Sequence, residues 1–254
     1  MANYPTNQER TAEYLKKFDR EKTLKYLIQE TRPVIFDVGA NIGSTLDEFK
    51  GWWPHSKIHC FEPQQECWEP LDQRAGRYAA GDVVINKLAA GHLAKDQVPF
   101  YTHDISSGTS GFNRINLQSK DSVHLHSLLK SESHALQEYE ESLNHERKVK
   151  IIRLDNYMST SQVNRVHLLK IDTQGHEPEV LEGFGKRLSD VDVVVTELMF
   201  YDYYERSLSF SDIERFLLPA GFHLYDISHI AKNPMNGRTD WVDVIYVNDR
   251  LRRK

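Results

Sequence analysis

Four carboxylates, Asp37, Glu62, Asp172 and Glu197, each stand at or near the carboxyl end of a short apolar run. In parallel α/β sheets the ligand sits at the carboxyl ends of the strands. An isolated acid in such a place is commonly a helix cap or a solvated turn residue, but four in one repeated context point to a shared site. Glu62 follows Asp37 by one strand–turn–helix–strand unit. A carboxylate at the tip of the second strand is where an α/β nucleotide fold accepts hydrogen bonds from a ribose diol. The spacing predicts a chain that binds an adenosine-containing cofactor.

The elements that must position these acids are legible around them. Val34-Ile35-Phe36-Asp37-Val38 reads as a buried strand that runs into Gly39-Ala40-Asn41-Ile42-Gly43. Gly39 and Gly43 sit where a tight turn and close backbone approach require the absence of a Cβ. Ile42, Leu46 and Phe49 then recur at helical spacing. Lys57 to Phe61 and Asp82 to Asn86 are predicted as the second and third strands, with helices over Ser44 to Gly51 and Gln64 to Ala75. Strand and helix alternate, which predicts a parallel doubly wound sheet.

The alternation resumes after an interruption. Val98 to Tyr101 and Val149 to Leu154 read as strands. Between them, residues 114 to 148 are charged and histidine-bearing, with Leu125, Leu128, Leu129, Leu136 and Leu143 at loosely helical spacing. The expectation is a polar or helical insert over residues 103–148, serving as a lid or as a connecting hairpin. Val166 to Ile171 is a further strand, ending in Asp172, and a helix opens near His176. Val191 to Thr196 leads to Glu197. A helix through Ile213, Phe216 and Leu217 precedes two last strands, Phe222 to Ile227 and Trp241 to Val247. Residues 8 to 30 are predicted as a helix, part of an N-terminal extension over residues 1–32. The whole chain is expected to form a single domain.

Bulk properties exclude several classes. The 254 residues suffice for a substantial core without staples. With 32 basic and 37 acidic residues the formal charge is −5, which offers no nucleic-acid footprint; the basic tail from Arg250 to Lys254 reads as a solvated end. The two cysteines, Cys60 and Cys67, form no CxxC and suggest a reducing, cytoplasmic setting. No apolar run approaches the length of a membrane span, and residues 1–10 lack the apolar core of a secretion signal.

A strand, a glycine turn and an acid are shared by dinucleotide oxidoreductases and by methyltransferases that use S-adenosylmethionine. The dinucleotide fingerprint needs glycine two positions after Gly39, where this chain has Asn41, and again at the position of Ser44. A side chain at Asn41 intrudes where a pyrophosphate needs bare backbone, which disfavours NAD. The turn can instead curl around a zwitterionic methionine tail, with backbone N–H groups facing its carboxylate.

The motifs Asp37-Val38-Gly39-Ala40-Asn41-Ile42-Gly43, Phe61-Glu62-Pro63, Leu154-Asp155-Asn156-Tyr157 and Leu169-Lys170-Ile171-Asp172-Thr173-Gln174-Gly175-His176-Glu177, followed by the Glu197 strand, resemble the FkbM family of methyltransferases. The resemblance runs from about Val34 to Ile227. It departs at Gln174, where the family usually has Glu; Gln supplies neither a base nor a charged metal ligand. The resemblance implies a class I methyltransferase fold: a Rossmann-like seven-stranded sheet whose last strand is antiparallel and hairpins with the sixth. It also implies methyl transfer from S-adenosylmethionine, commonly to a hydroxyl of a sugar, glycan or natural-product metabolite.

On that reading Asp37, Gly39, Asn41, Ile42, Gly43 and Ser44 hold the methionine portion, Glu62 the ribose, and Leu88 and Ala89 border the adenine. Asp172 and His176, four positions apart across a strand-to-helix turn, are the candidate bases, and Glu197 orients the base or the substrate. Tyr201 to Tyr204 are a candidate aromatic wall for a sugar ring. No metal ligand is assigned; a divalent ion held by Asp172, His176 and Glu197 is the less favoured arrangement, and His124-Leu125-His126 lacks a third ligand. Expected partners are a small-molecule or glycan acceptor and, in a homo-oligomer, further copies of the chain. The competing readings are an NAD-linked oxidoreductase and a non-catalytic binding protein that retains the nucleotide fold.

Overall fold

A computed structural model describes residues 6–119, 133–234 and 236–252. Its N-terminal segment is not one helix but two, α1 Asn7–Lys17 and α2 Arg20–Leu27. Thr6 and Glu9 close a reciprocal capping box at the start of α1. The break falls at Phe18–Asp19 because the Asp19 carboxylate accepts from the Lys22 backbone N–H at 2.8 Å. A short acid that bonds the backbone three residues on starts a new helix rather than continuing the old one. The apolar spacing carries no sign of that local competition.

The chain then alternates through β1 Val34–Val38, α3 Ser44–Trp52, β2 Lys57–Phe61, α4 Gln65–Ala75 and β3 Val83–Asn86. After a second, smaller sheet it continues with α6 Leu154–Thr160, β7 Val166–Ile171, α7 Glu177–Phe184, β8 Val191–Met199, α8 Phe210–Leu217, β9 Phe222–Lys232, β10 Thr239–Asn248 and α9 Asp249–Arg252. The smaller sheet is β4 Ala89–Ala90, β5 Lys95–Thr102 and β6 His145–Ile152, with α5 Ser133–Glu141 between the last two.

Seven strands form the main sheet in the order β3-β2-β1-β7-β8-β10-β9. β3, β2, β1, β7 and β8 pair in parallel. β10 lies antiparallel between β8 and β9, so the last strand is the reversed one, as the resemblance implies. Helices cover both faces, and this is why the strands read as nearly unbroken apolar runs. Phe36, Phe61, Leu169, Val194 and Phe184 pack on one face; Ile35, Ile58, Leu168, Val193 and Ile245 pack on the other. Both cysteines are buried and free. Among the described residues no helix is long and apolar enough to cross a membrane.

The middle of the chain differs most from its sequence pattern. The expected strand at Val149 to Leu154 starts earlier, at His145, and stops at Ile152, because Leu154 opens α6. Residues 111–116 are extended rather than helical, bridging Tyr101 to Gly111 and Ile115 to Tyr204. Asn144 pins this stretch. Its backbone is left-handed, and its side-chain amide bonds both the N–H (2.8 Å) and the carbonyl (3.0 Å) of Ile115. Leu143 is buried against Ile115 and Tyr203. His124, Leu125, His126, Leu128, Leu129, Arg253 and Lys254 lie outside the described residues.

Candidate active site

The first turn of the site exists because β1 and β7 leave the sheet almost in contact. Gly39 has φ +82°, and a Cβ there would stand 1.9 Å from the Asp172 carbonyl oxygen. The N–H groups of Gly39 and Ala40 both donate to the Phe61 carbonyl, at 3.0 and 3.1 Å, which ties the turn to the end of β2. Asn41 also has a left-handed backbone, with φ 48°. Its side-chain oxygen accepts from its neighbour Ile42 N–H at 2.7 Å and from the Ser107 hydroxyl at 3.1 Å. Gly43 answers to packing: a Cβ there would meet Leu71 of α4 at 2.8 Å. Ile42 and Ser44 are exposed and, like Gly43, do not line the cleft. None of the three has the lining position that Gly39 and Asn41 have. They build the turn and the start of α3.

The cleft itself opens along the carboxyl ends of β1, β2 and β7, with about 570 Å³ of space including its solvent-open mouth. Glu62 lies in its wall at 2% exposure. Each carboxylate oxygen is held by one backbone N–H, Oε1 by Gln64 and Oε2 by Asn41, both at 2.8 Å. That pins the group in one orientation and leaves each oxygen a second acceptor position. Burial pushes the Glu62 carboxyl up to about 7. Phe61, Ala89, Ala90, Phe100 and Phe112 supply apolar walls. Leu88 does not line the cleft but packs against the core on one face of the main sheet, whereas Ala90 does line it. Ser107, Gly108, Ser110 and Phe112 bring the segment after β5 over the same cleft. The Gln64 amide donates to the Ser107 carbonyl at 3.0 Å and holds that segment down.

Asp37 is fully buried and does not reach the cleft. Strand alternation turns its side chain to the opposite face from Phe36 and Val38, toward Lys170. Lys170 Nζ lies 3.4 Å from Asp37 Oδ1, 3.4 Å from Asp172 Oδ2 and 3.1 Å from the Gly39 carbonyl oxygen. Burial alone would lower the lysine, but Asp172 and Asp37 outweigh it and hold the ammonium above its ordinary range. Asp37 thus acts on the site through Lys170, which sews together the ends of β1 and β7. A lysine between the buried apolar residues Leu168, Leu169 and Ile171 is a signal for such a buried partner; the sequence reading gave it no role.

Asp172 projects into the cleft with its side chain 38% exposed. His176 does not join it. The residue is 7% exposed, its ring lies tilted against Phe112 with centroids 4.2 Å apart, and it packs against Gly91 just after β4. Burial drives it down to about 4, so it is neutral at physiological pH. The pairing of Asp172 with His176 across the turn fails because Gln174 and Gly175, at φ 56° and 90°, reverse the chain between them. Glu197 is not at a strand tip, since β8 continues to Met199. It lies beside Glu177 in a small adjoining pocket of about 250 Å³, with Gln174, Met199, Tyr204 and Arg206. Burial, reinforced by Asp172 and Glu177, pushes Glu197 up to about 9. Burial likewise takes Glu177 up to about 7. At neutral pH Glu197 is an uncharged carboxyl that can donate a hydrogen bond.

The tyrosines after β8 do not form a wall as a group. Tyr203 is buried against Ile115, Leu143 and Tyr204, and only Tyr204 reaches the small pocket. No group of three or more His, Cys, Asp or Glu with the arrangement of a metal site occurs among the described residues.

A family model described as the methyltransferase FkbM domain matches residues 37–224. The chain is similar to 2-O-methyltransferase NoeI of Sinorhizobium fredii, 26% identical over 190 residues that span 72% of this chain and 70% of that protein. It is also similar to hexuronic acid methyltransferase AglP of Haloferax volcanii, 22% identical over 180 residues that span 70% of this chain and 62% of that protein. Among solved structures, the FkbM methyltransferase from Methylobacillus flagellatus aligns with a TM-score of 0.50 at 14% identity, over 85% of this chain and 44% of that one, a likeness of fold alone.

Proposed function

The chain belongs to the FkbM methyltransferase family, and from that premise we propose that it moves a methyl group from S-adenosylmethionine to a hydroxyl oxygen of a sugar, glycan or natural-product acceptor. The observation that carries this reading is the cleft, with Glu62 fixed in one wall and Asp172 projecting from another. The relatives with sugar-directed names, NoeI and AglP, support the acceptor class. The NAD-linked alternative loses its ground with the family assignment.

The residues present fit the cofactor. Glu62 keeps an acceptor position free on each oxygen, which suits the two hydroxyls of a ribose. Ala89, Ala90 and Phe100 offer small and flat apolar surface for a purine. The turn from Gly39 to Asn41 would hold the methionine end. When bound, S-adenosylmethionine supplies an electrophilic methyl carbon with its leaving group already in place. The protein's own work is then to orient the acceptor and to accept its proton. Asp172 is the carboxylate in the cleft that can take the proton, and Lys170 Nζ lies 3.4 Å from its Oδ2. Glu197 and Tyr204 border the small pocket next to it, where acceptor hydroxyls would be oriented.

The buried position of Glu62 makes a pH prediction. Its carboxyl is half-ionised near pH 7, and the ionised form is the one with acceptors for both hydroxyls. Cofactor affinity through Glu62 should therefore rise with pH across this window. From pH 8 to pH 6 the ionised fraction falls about tenfold, and affinity for S-adenosylhomocysteine should weaken by ~tenfold relative to a Glu62→Gln variant titrated in parallel. Equal pH dependence in the two proteins would remove Glu62 from the site.

A further inference from the structure

Gln174 occupies a strained backbone position held by both its carbonyl and its side chain. Its backbone is left-handed, at φ 56°, and the Asn113 amide donates to its carbonyl at 3.1 Å. Its side-chain Nε2 donates to Asp172 Oδ1 at 2.7 Å. Its Oε1 lies 2.7 Å from the hydroxyl of Tyr204, which also lies 2.8 Å from the Thr109 carbonyl. These contacts fix the sense of the amide. A carboxylate only accepts, so the nitrogen must face Asp172. The oxygen then faces Tyr204, whose single O–H proton is shared between it and the Thr109 carbonyl. Tyr204 is 2% exposed, and burial raises it well above the ordinary phenol range, so it stays protonated as a donor.

We propose that Gln174, oriented by Tyr204, is a positioning residue for Asp172: it clamps one carboxylate oxygen and aims its remaining lone pairs at the acceptor. This rests on the reading of Asp172 as the proton acceptor. Lys170 secures Oδ2 from one side and Gln174 secures Oδ1 from the other. Hydrogen bonds to the charged form of a carboxylate favour that form, whereas a second carboxylate at the same distance opposes it. The chain Tyr204–Gln174–Asp172 also links the acid to Thr109, next to the Ser107–Ser110 wall of the cleft. The geometry accounts for a neutral amide here: Gln donates to one neighbour and accepts from the other, which a carboxylate cannot do while ionised.

The test is a ¹³C NMR titration of aspartate-labelled protein, with the Asp172 carboxyl resonance assigned by its loss in Asp172→Asn. Gln174→Glu should raise the Asp172 titration midpoint by about one pH unit or more over the wild type. Gln174→Leu, which removes the donor without adding charge, should raise it by a smaller amount, and serves if the Glu variant does not fold. Midpoints in both variants that match the wild type, or fall below it, would overturn the proposal. The result is independent of turnover. A full-rate Asp172→Asn enzyme would sink the base assignment and leave the measured coupling intact.

Discussion

Asp172→Asn should retain S-adenosylhomocysteine binding within about twofold and lose roughly 10²- to 10⁴-fold in turnover, the usual contribution of a positioned base. The substitution is nearly isosteric. The new amide oxygen can still accept from Gln174, so the turn at Gln174–Gly175 keeps its main support. What disappears is the negative charge beside Lys170 and the ability to take a proton. His176 offers no substitute, because it packs against Phe112 outside the lining of the cleft. The measurement is production of S-adenosylhomocysteine with an acceptor sugar that the wild type methylates. Wild-type turnover by the Asn variant would remove Asp172 as the base and move attention to the carboxyls of the neighbouring small pocket.

The second large effect is structural. Gly39→Val should leave little folded protein and no cofactor binding in what remains. A Cβ at Gly39 would sit 1.9 Å from the Asp172 carbonyl oxygen, on a backbone at φ +82° that β-branched residues avoid. The clash is with backbone, and that backbone is the end of β7, held by the Asp172 N–H donating to the Val38 carbonyl at 3.0 Å. Relief requires β1 and β7 to part where Lys170 joins them. The expected cost is at least about 3 kcal/mol, combining left-handed strain with a steric conflict that no rotamer resolves. Thermal unfolding and calorimetry on the purified variant check it. A melting temperature within a few degrees of wild type, with binding intact, would mean that the two strand exits are not as close as the structure has them.

The difference between these two positions tracks what was legible in the sequence. The main sheet could be read because its strands are buried on both faces and leave continuous apolar runs, ending at a glycine turn or a lone acid. Glu62 and Asp172 could be located for the same reason: a charge directly after an apolar strand has few places to go except the carboxyl edge of the sheet. Side-chain direction was not legible. Asp37 is one residue from Val38, yet the pleat turns it away from the cleft and toward Lys170. His176 is separated from Asp172 by a reversal that depends on two left-handed residues, and no periodicity reports those. The segment from Ser107 to Phe112 lies inside the insert expected over residues 103–148, and its place over the cleft is set by long-range bonds to Asn41 and Gln64. Gln174 stood out as a departure from a motif, but its partner Tyr204 lies 30 residues away and becomes evident only in three dimensions.

The central claim is that the cleft beside Glu62 holds the methyl donor, and calorimetric titration with S-adenosylhomocysteine tests it most directly. Wild-type protein at pH 8 should bind one equivalent per chain. Glu62→Ala, folded to the same melting temperature within a few degrees, should bind more weakly by about 1.5–3 kcal/mol, the range for hydrogen bonds to a charged group. NAD added to the wild type should give no comparable heat. Tight binding of S-adenosylhomocysteine that is unchanged in Glu62→Ala would contradict the assignment of the cleft.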